Sequence, residues 1–326
     1  MEKTKTSAGS WIKAHGTQLA GYAGLVFCIL FFTILTPILG SKSIWDPSKL
    51  STIMSNVIVL ALMSVGAVFV YALGSMDISI GKQVGLYATL VVYLSNMTGS
   101  IIPGILISLV ISVIIGMVNG ATGELLHIHP IISSLVFMMV LSGINSVMFV
   151  KFGTRSITLT AFDVSIFKKT WFMLLVLVIE TVVVWFLFNF TRFGKNAKAL
   201  GANQLAAEQS GINVIKYKMI AYVIMGVCVV IASLFQMGYT RSASDGTGTG
   251  FEMNVMVALI LGGMPLNGGM KSKISCAIVG AFTYSILNVG LPMIGIPVNK
   301  VNLIKAIIFI IVVLFTCRKP KGTLPR

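Results

Sequence analysis

Runs of about twenty apolar residues recur along the whole chain, each long enough to cross the roughly 30 Å hydrocarbon core of a bilayer as a helix. They are read near 19–39, 52–73, 84–98, 101–119, 130–150, 171–190, 219–239, 252–264, 274–291 and 301–317, with 84–98 and 252–264 the shortest. In hydrocarbon every backbone N–H and C=O must find its partner within the protein, so such runs fold as helices or as turns buried against them. Composition agrees. Of 326 residues 56% are hydrophobic and only 10% are charged, where an ordinary soluble domain carries about 25% charged residues. The expected fold is all-α and polytopic, about ten transmembrane helices in one domain covering 1–326.

The net charge of +15 invites a nucleic-acid reading, so its placement matters. With the N-terminus taken as cytoplasmic, 15 of the 24 Lys and Arg fall inside: those of the tails 1–18 and 318–326 and of the stretch 191–218, with Lys82, Lys271 and Lys273. Basic loops stay on the cytoplasmic side. The asymmetry therefore predicts both termini inside, at a multi-pass cytoplasmic membrane, with the lipid bilayer as the partner and no nucleic acid. The first apolar run exceeds a signal-peptide core and is expected to remain. Cys28, Cys228, Cys276 and Cys317 stand far apart within spans and read as buried thiols.

An internal repeat is visible. Leu73-Gly74-Ser75-Met76-Asp77-Ile78-Ser79-Ile80-Gly81 aligns with Leu261-Gly262-Gly263-Met264-Pro265-Leu266-Asn267-Gly268-Gly269. Each copy ends an apolar run and precedes another, the trace expected of a fold with two related halves and re-entrant Gly-rich segments. Non-helical backbone at membrane depth survives only beside protein or a water-filled path. Gly74, Asp77, Ser79, Gly81, Gly262, Gly263, Asn267 and Gly269 are thus candidates for lining a translocation pathway or its cytoplasmic mouth, as is Asn119 at the end of its span. Two tight surface turns are the plainer reading. Asp77 either orders a re-entrant turn or caps the helix beginning near Ser79, and capping is preferred. Glu180, late in an apolar span, faces protein or water, with Lys305 of the last span a possible partner.

Within 191–218, Asn203 can cap a short helix over Gln204–Gln209 that Gly211 terminates. Ala206 and Ala207 on that helix are small enough for close docking. His127-Ile128-His129 with Glu124 suggests metal, but side chains two apart diverge on a helix, so a loop entering the span at Pro130 is expected and no metal. No G-x-x-x-x-G-K-[ST] stands in the chain: Gly81-Lys82 is followed by Gln83 and Gly194-Lys195 by Asn196.

Gly74–Gly81, Asn119-Gly120, Ala199–Gly211 and Leu261–Gly269 together resemble the ribose/xylose/galactose-type permeases of bacterial ABC importers, over about 55–315. The runs Ala199-x-Gly201-x-Asn203-x-x-Ala206-Ala207-x-x-Ser210-Gly211-Ile212 and Gly248-Thr249-Gly250-Phe251-Glu252 carry it most specifically. Ser75, Pro265 and Asn267 depart from the family pattern. The resemblance implies a non-catalytic subunit that pairs with a second permease subunit and passes a monosaccharide or sugar-like solute. It implies too a cytoplasmic ABC ATPase subunit that binds ATP and Mg, and an extracytoplasmic solute-binding protein. Gly201, Asn203, Ala206, Ala207, Glu208, Ser210 and Gly211 would then form the element coupled to the ATPase. The alternative is an ion-coupled secondary carrier with duplicated halves, for which Glu180 is the one acid clearly inside a span. An intramembrane enzyme lacks G-x-S-x-G and H-E-x-x-H.

Overall fold

A computed structural model describes residues 8–39, 43–161 and 163–316, with side chains described over 19–39, 43–161 and 163–314. Cys317, the basic residues of 1–7 and 318–326, the side chains of Lys13 and His15, and Lys42 lie outside the described residues. Twelve α-helices are present in this part: α1 (Ala8–Ile38), α2 (Pro47–Ala72), α3 (Ile80–Thr98), α4 (Ile102–Leu125), α5 (Pro130–Phe152), α6 (Thr170–Phe190), α7 (Arg192–Ala202), α8 (Gln204–Gln209), α9 (Val214–Thr240), α10 (Phe251–Leu261), α11 (Ser275–Met293) and α12 (Val298–Thr316). A short antiparallel ribbon joins β1 (Ser156–Thr158) to β2 (Ser242–Ser244), with Ile157 opposite Ala243.

Each of the ten apolar runs is a helix, and seven of these are long and apolar enough to cross a membrane, so this is a multi-pass, essentially all-α membrane protein. The span expected at 252–264 is shorter than the others. α10 has 11 residues, about 16 Å at 1.5 Å per residue, too short to cross the bilayer by itself, and it is not among the seven. The stretch 191–204 is helical rather than a linker, because α7 and α8 follow one another with only Asn203 between them.

Contacts fix the direction of the helices. α2, α4, α6 and α10 run towards the end of the bundle that carries α8, and α3, α5, α9 and α11 run towards the end that carries the β ribbon.

α2 is the axis of the bundle, buried almost without interruption from Ile53 to Leu73. A helix that is apolar all round belongs inside, and Gly66 lets Cys228 of α9 approach so closely that an added methyl would fall 2.6 Å from the Cys228 Cβ. α4 is built differently. Its buried positions Gly104, Ser108, Ser112, Gly116 and Gly120 recur every fourth residue and form one stripe of small side chains. Gly116 and Gly120 press on the backbone of Val223 and Met219 in α9, and Gly104 on Val91 in α3. Small residues at that spacing are how membrane helices gain contact when hydrophobicity alone does not favour protein over lipid. The opposite face of α4 shows Leu106, Val110, Ile114 and Val118 outward, as the outer faces of α1, α5, α6 and α12 show their own apolar residues. Such apolar outer faces suit a membrane setting.

Candidate functional site

The two Gly-rich copies fold into the same turn. Leu73, Gly74 and Ser75 donate to Phe69, Tyr71 and Val70, while Gly262, Gly263 and Met264 donate to Ala258, Ile260 and Leu259. Gly74 and Gly263 hold φ of 75° and 89°, the left-handed value that closes a helix C-terminus at least cost when the residue is glycine. The backbone therefore pairs Gly74 with Gly263, one residue away from the register in which the sequences align. Both turns lie at one end of the bundle and touch: the Gly269 N–H donates to the Ala72 carbonyl at 2.8 Å, and Gly74 faces the Asn267 carbonyl. Asn267 is exposed, whereas Gly262 is enclosed between α1 and α11, where a side chain would strike the Cys276 carbonyl.

The α7–α8 element is seated on both turns at once. A methyl group at Gly201 would collide with the Ala72 carbonyl and come within 2.8 Å of the Gly269 nitrogen. Asn203 caps α8 as expected, its Oδ1 accepting from the Ala206 N–H at 3.1 Å, and Gly211 follows at φ 83°. Ala206 is exposed with Glu208 and Ser210, but Ala207 is buried, so the free face of α8 is narrower than the sequence suggests. Glu124 on α4 forms a salt bridge with Lys218 on α9 and accepts from Gln204 Nε2 at 3.2 Å; Gln204 also donates to Glu208 at 3.1 Å. Lys198 on α7 donates to Asn189 at 3.0 Å and stands 4.1 Å from the Phe188 ring centre. Its partial burial, with Lys273 nearby, holds its ammonium below the usual lysine range.

Asp77 is 4% exposed and fully hydrogen-bonded. One carboxylate oxygen accepts from the Ser79 N–H at 2.7 Å and the Ser79 hydroxyl at 2.6 Å, and the other accepts from Gln83 at 3.1 Å. Asp77 therefore orders the turn that leads into α3 rather than capping the helix: it accepts from Ser79, the residue before α3, and no side chain caps the first-turn donors. Asn119 donates to the Ser79 hydroxyl at 3.4 Å, and the Ile78 N–H donates to Ser134 on α5 at 3.2 Å. Asn119 lies inside α4, which continues to Leu125. The turn at 77–79 therefore locks α3, α4 and α5 together. Gly81 and Gly248 lie backbone to backbone, and Lys82 donates to Thr249 at 3.1 Å, so the 248–252 motif packs on the first turn of α3.

Glu180 and Lys305 do not pair. Glu180 lies against Cys228, whereas Lys305 donates to Tyr284 at 2.7 Å and Asn288 at 3.0 Å. His127 and His129 serve a turn: His127 holds φ 53°, and His129 Nδ1 accepts from the Ile131 N–H at 3.4 Å at the start of α5.

At the β-ribbon end is a feature that no motif announced. A polar cavity of about 220 Å³ is walled by Asn56, Gln236, Asn254, Tyr284 and Asn288. Asn56 and Asn288 also border a wider depression of about 600 Å³ that includes Lys49 and Asn302. The Gly-rich candidates line neither space. Amides inside apolar runs were the available signal, since Asn254 and Asn288 interrupt otherwise apolar helices.

The permease family described as branched-chain amino acid transport system / permease component matches residues 49–314. The ribose import permease protein of Escherichia coli (strain K12) is 26% identical over 328 residues, covering 97% of this chain and 99% of that protein. The galactose/methyl galactoside import permease protein of Haemophilus influenzae is 28% identical, covering 87% of this chain and 92% of its own. The ribose import permease protein of Bacillus subtilis is 26% identical, with 93% of each chain covered. With one continuous match over the bundle, from the start of α2 to the last turn of α12, this chain belongs to that permease family.

Proposed function

We propose that the chain is the membrane-spanning subunit of a binding-protein-dependent ABC importer, passing a monosaccharide or sugar-like solute. The observation that carries the reading is the seat of Gly201 on Ala72 and Gly269. The capped, partly exposed α8 follows directly on α7, which rests on the turns of both repeats, so the element is placed to transmit a push from a soluble partner to α2 and α10 together. The relatives named for ribose and for galactose or methyl galactoside support the solute class.

In this reading the α8 end faces the cytoplasm, both termini lie there, and the membrane is the bacterial inner membrane. The excess of Lys and Arg in 191–218 favours that orientation. ATP and Mg bind to a separate ATPase subunit that docks on Ala206, Glu208 and Ser210. A second permease subunit completes the pore and an extracytoplasmic protein delivers solute to the β-ribbon end.

The test is gentle affinity purification from native membranes with mass spectrometry of the copurifying chains, together with solute uptake before and after ATP depletion. Copurification of a P-loop ATPase and loss of uptake on depletion are expected. A chain that purifies alone, with uptake that follows an ion gradient, would replace this reading with the ion-coupled carrier.

A further inference from the structure

The cavity at the β-ribbon end has its hydrogen-bonding polarity set from behind. Lys305, 7% exposed, carries only donor hydrogens, so its bond at 3.0 Å must end on the carbonyl oxygen of the Asn288 amide. That leaves the Asn288 NH₂ group without a partner among the described residues. Lys305 also donates to the Tyr284 oxygen at 2.7 Å, which turns the phenol hydrogen towards Asn254 Oδ1. The Asn254 NH₂ group is freed in the same way. Asn56 donates one N–H of its amide to the Thr52 carbonyl at 3.0 Å, which leaves its carbonyl oxygen available as an acceptor.

Ser285 also borders the cavity, but its hydroxyl is enclosed, 1% exposed, and has no hydrogen bond among the described residues. No carboxylate lines the cavity among the described residues. Its 220 Å³ falls below the roughly 300 Å³ at which pockets for drug-sized molecules begin, which suits one ring rather than two.

We infer that this cavity is a solute site within the permease, built for a single-ring, uncharged polyhydroxylated molecule, and that Lys305 is the positioning residue that sets its donors. The Asn254 and Asn288 amides donate to ring or hydroxyl oxygens of the solute, and Asn56 accepts from a hydroxyl. Lys305 itself touches Asn288 and Tyr284 rather than the solute. The inference rests on the importer reading and names where the solute pauses.

The experiment uses the intact transporter in cells, with Ser55→Cys as a reporter on the cavity wall. Cys28, Cys228 and Cys276 are buried, and the parent protein gives the background. Labelling by a membrane-impermeant methanethiosulfonate is followed with ribose, with galactose and without sugar. The expected result is that one of the two sugars slows labelling about tenfold at ten times its half-protecting concentration. Lys305→Met and Tyr284→Phe should each abolish protection while the protein still elutes as a folded species. Labelling that no sugar changes, in cells that still import sugar, would overturn the site and leave the importer reading intact. Protection that survives in both Lys305→Met and Tyr284→Phe would remove the positioning role. Failure to label Ser55→Cys above background would overturn the site too, since the cavity would then be closed to solute. A parent that imports neither sugar when ATP is present removes both readings.

Discussion

Lys218 on α9 and Glu124 on α4 form a salt bridge at the α8 end of the bundle, and the same carboxylate holds Gln204 on the first turn of α8. The lysine is 7% exposed and the carboxylate 21%, so neither charge is well solvated. Through this pair, α8 is tied to the two helices whose small residues interlock along their length.

Removing one charge strands the other. Glu124→Gln and Lys218→Met should each lower stability by about 1–3 kcal/mol, towards the lower part of the range for buried pairs because the carboxylate keeps some water. Thermal melts in nanodiscs of both single variants and the double one measure the coupling. A coupling above about 1 kcal/mol is expected, and simple additivity would show that the bridge contributes nothing.

Gly201 and Gly211 separate contact from conformation. Gly201→Ala drives a methyl into the Ala72 carbonyl, and should abolish solute uptake and coupling to the ATPase even where the protein folds. Gly211→Ala meets nothing within 4 Å, but must hold φ 83°. It should cost about 1 kcal/mol and leave uptake close to the parent's. Equal loss in both variants would contradict the seating of α7 on the two turns.

Asn203 should behave as a cap. Asn203→Ala loses the bond to Ala206, a change worth about 0.5–2 kcal/mol at a helix N-terminus. A six-residue helix has little else to hold it together. Solute-stimulated ATPase activity of the assembled importer should fall sharply in Asn203→Ala and return in Asn203→Asp. Indifference of the activity to both would detach α8 from coupling.

Asp77 supplies three acceptor contacts to one turn. Asp77→Asn keeps the two bonds to Ser79 and sets an NH₂ group against Gln83, whereas Asp77→Ala loses all three. Leaving these buried donors unmet costs about 1–3 kcal/mol each at most. Expression and melting temperature should rank parent, then Asp77→Asn, then Asp77→Ala. An alanine variant as stable as the parent would refute the role of Asp77 in ordering this turn.

Glu180→Gln and Lys305→Met should be independent in stability, within about 0.5 kcal/mol of additive, because the two side chains meet different partners. A double variant much more stable than the sum would restore the pair that the span positions suggested.

The apolar runs, the cap at Asn203, the α8 bounds and the sites of both Gly-rich turns were legible in the sequence. These depend on short-range causes: a twenty-residue apolar run must satisfy its own backbone in lipid, and a cap or a left-handed glycine acts within one helical turn. Tertiary structure alone decided which faces meet. In lipid, leucine facing a neighbour and leucine facing acyl chains look alike, so hydrophobicity does not mark the buried side of α4, and the Gly and Ser stripe that does mark it acts only against a matching partner. For the same reason the one-residue shift between Gly74 and Gly263, the burial of Ala207, and the meeting of Ala72, Gly201 and Gly269 lay beyond the sequence. The polar cavity is the clearest case. Asn56 of α2 lies about two hundred residues from Asn254 of α10 and Asn288 of α11, and only packing turns their polar ends towards one space with Lys305 behind them.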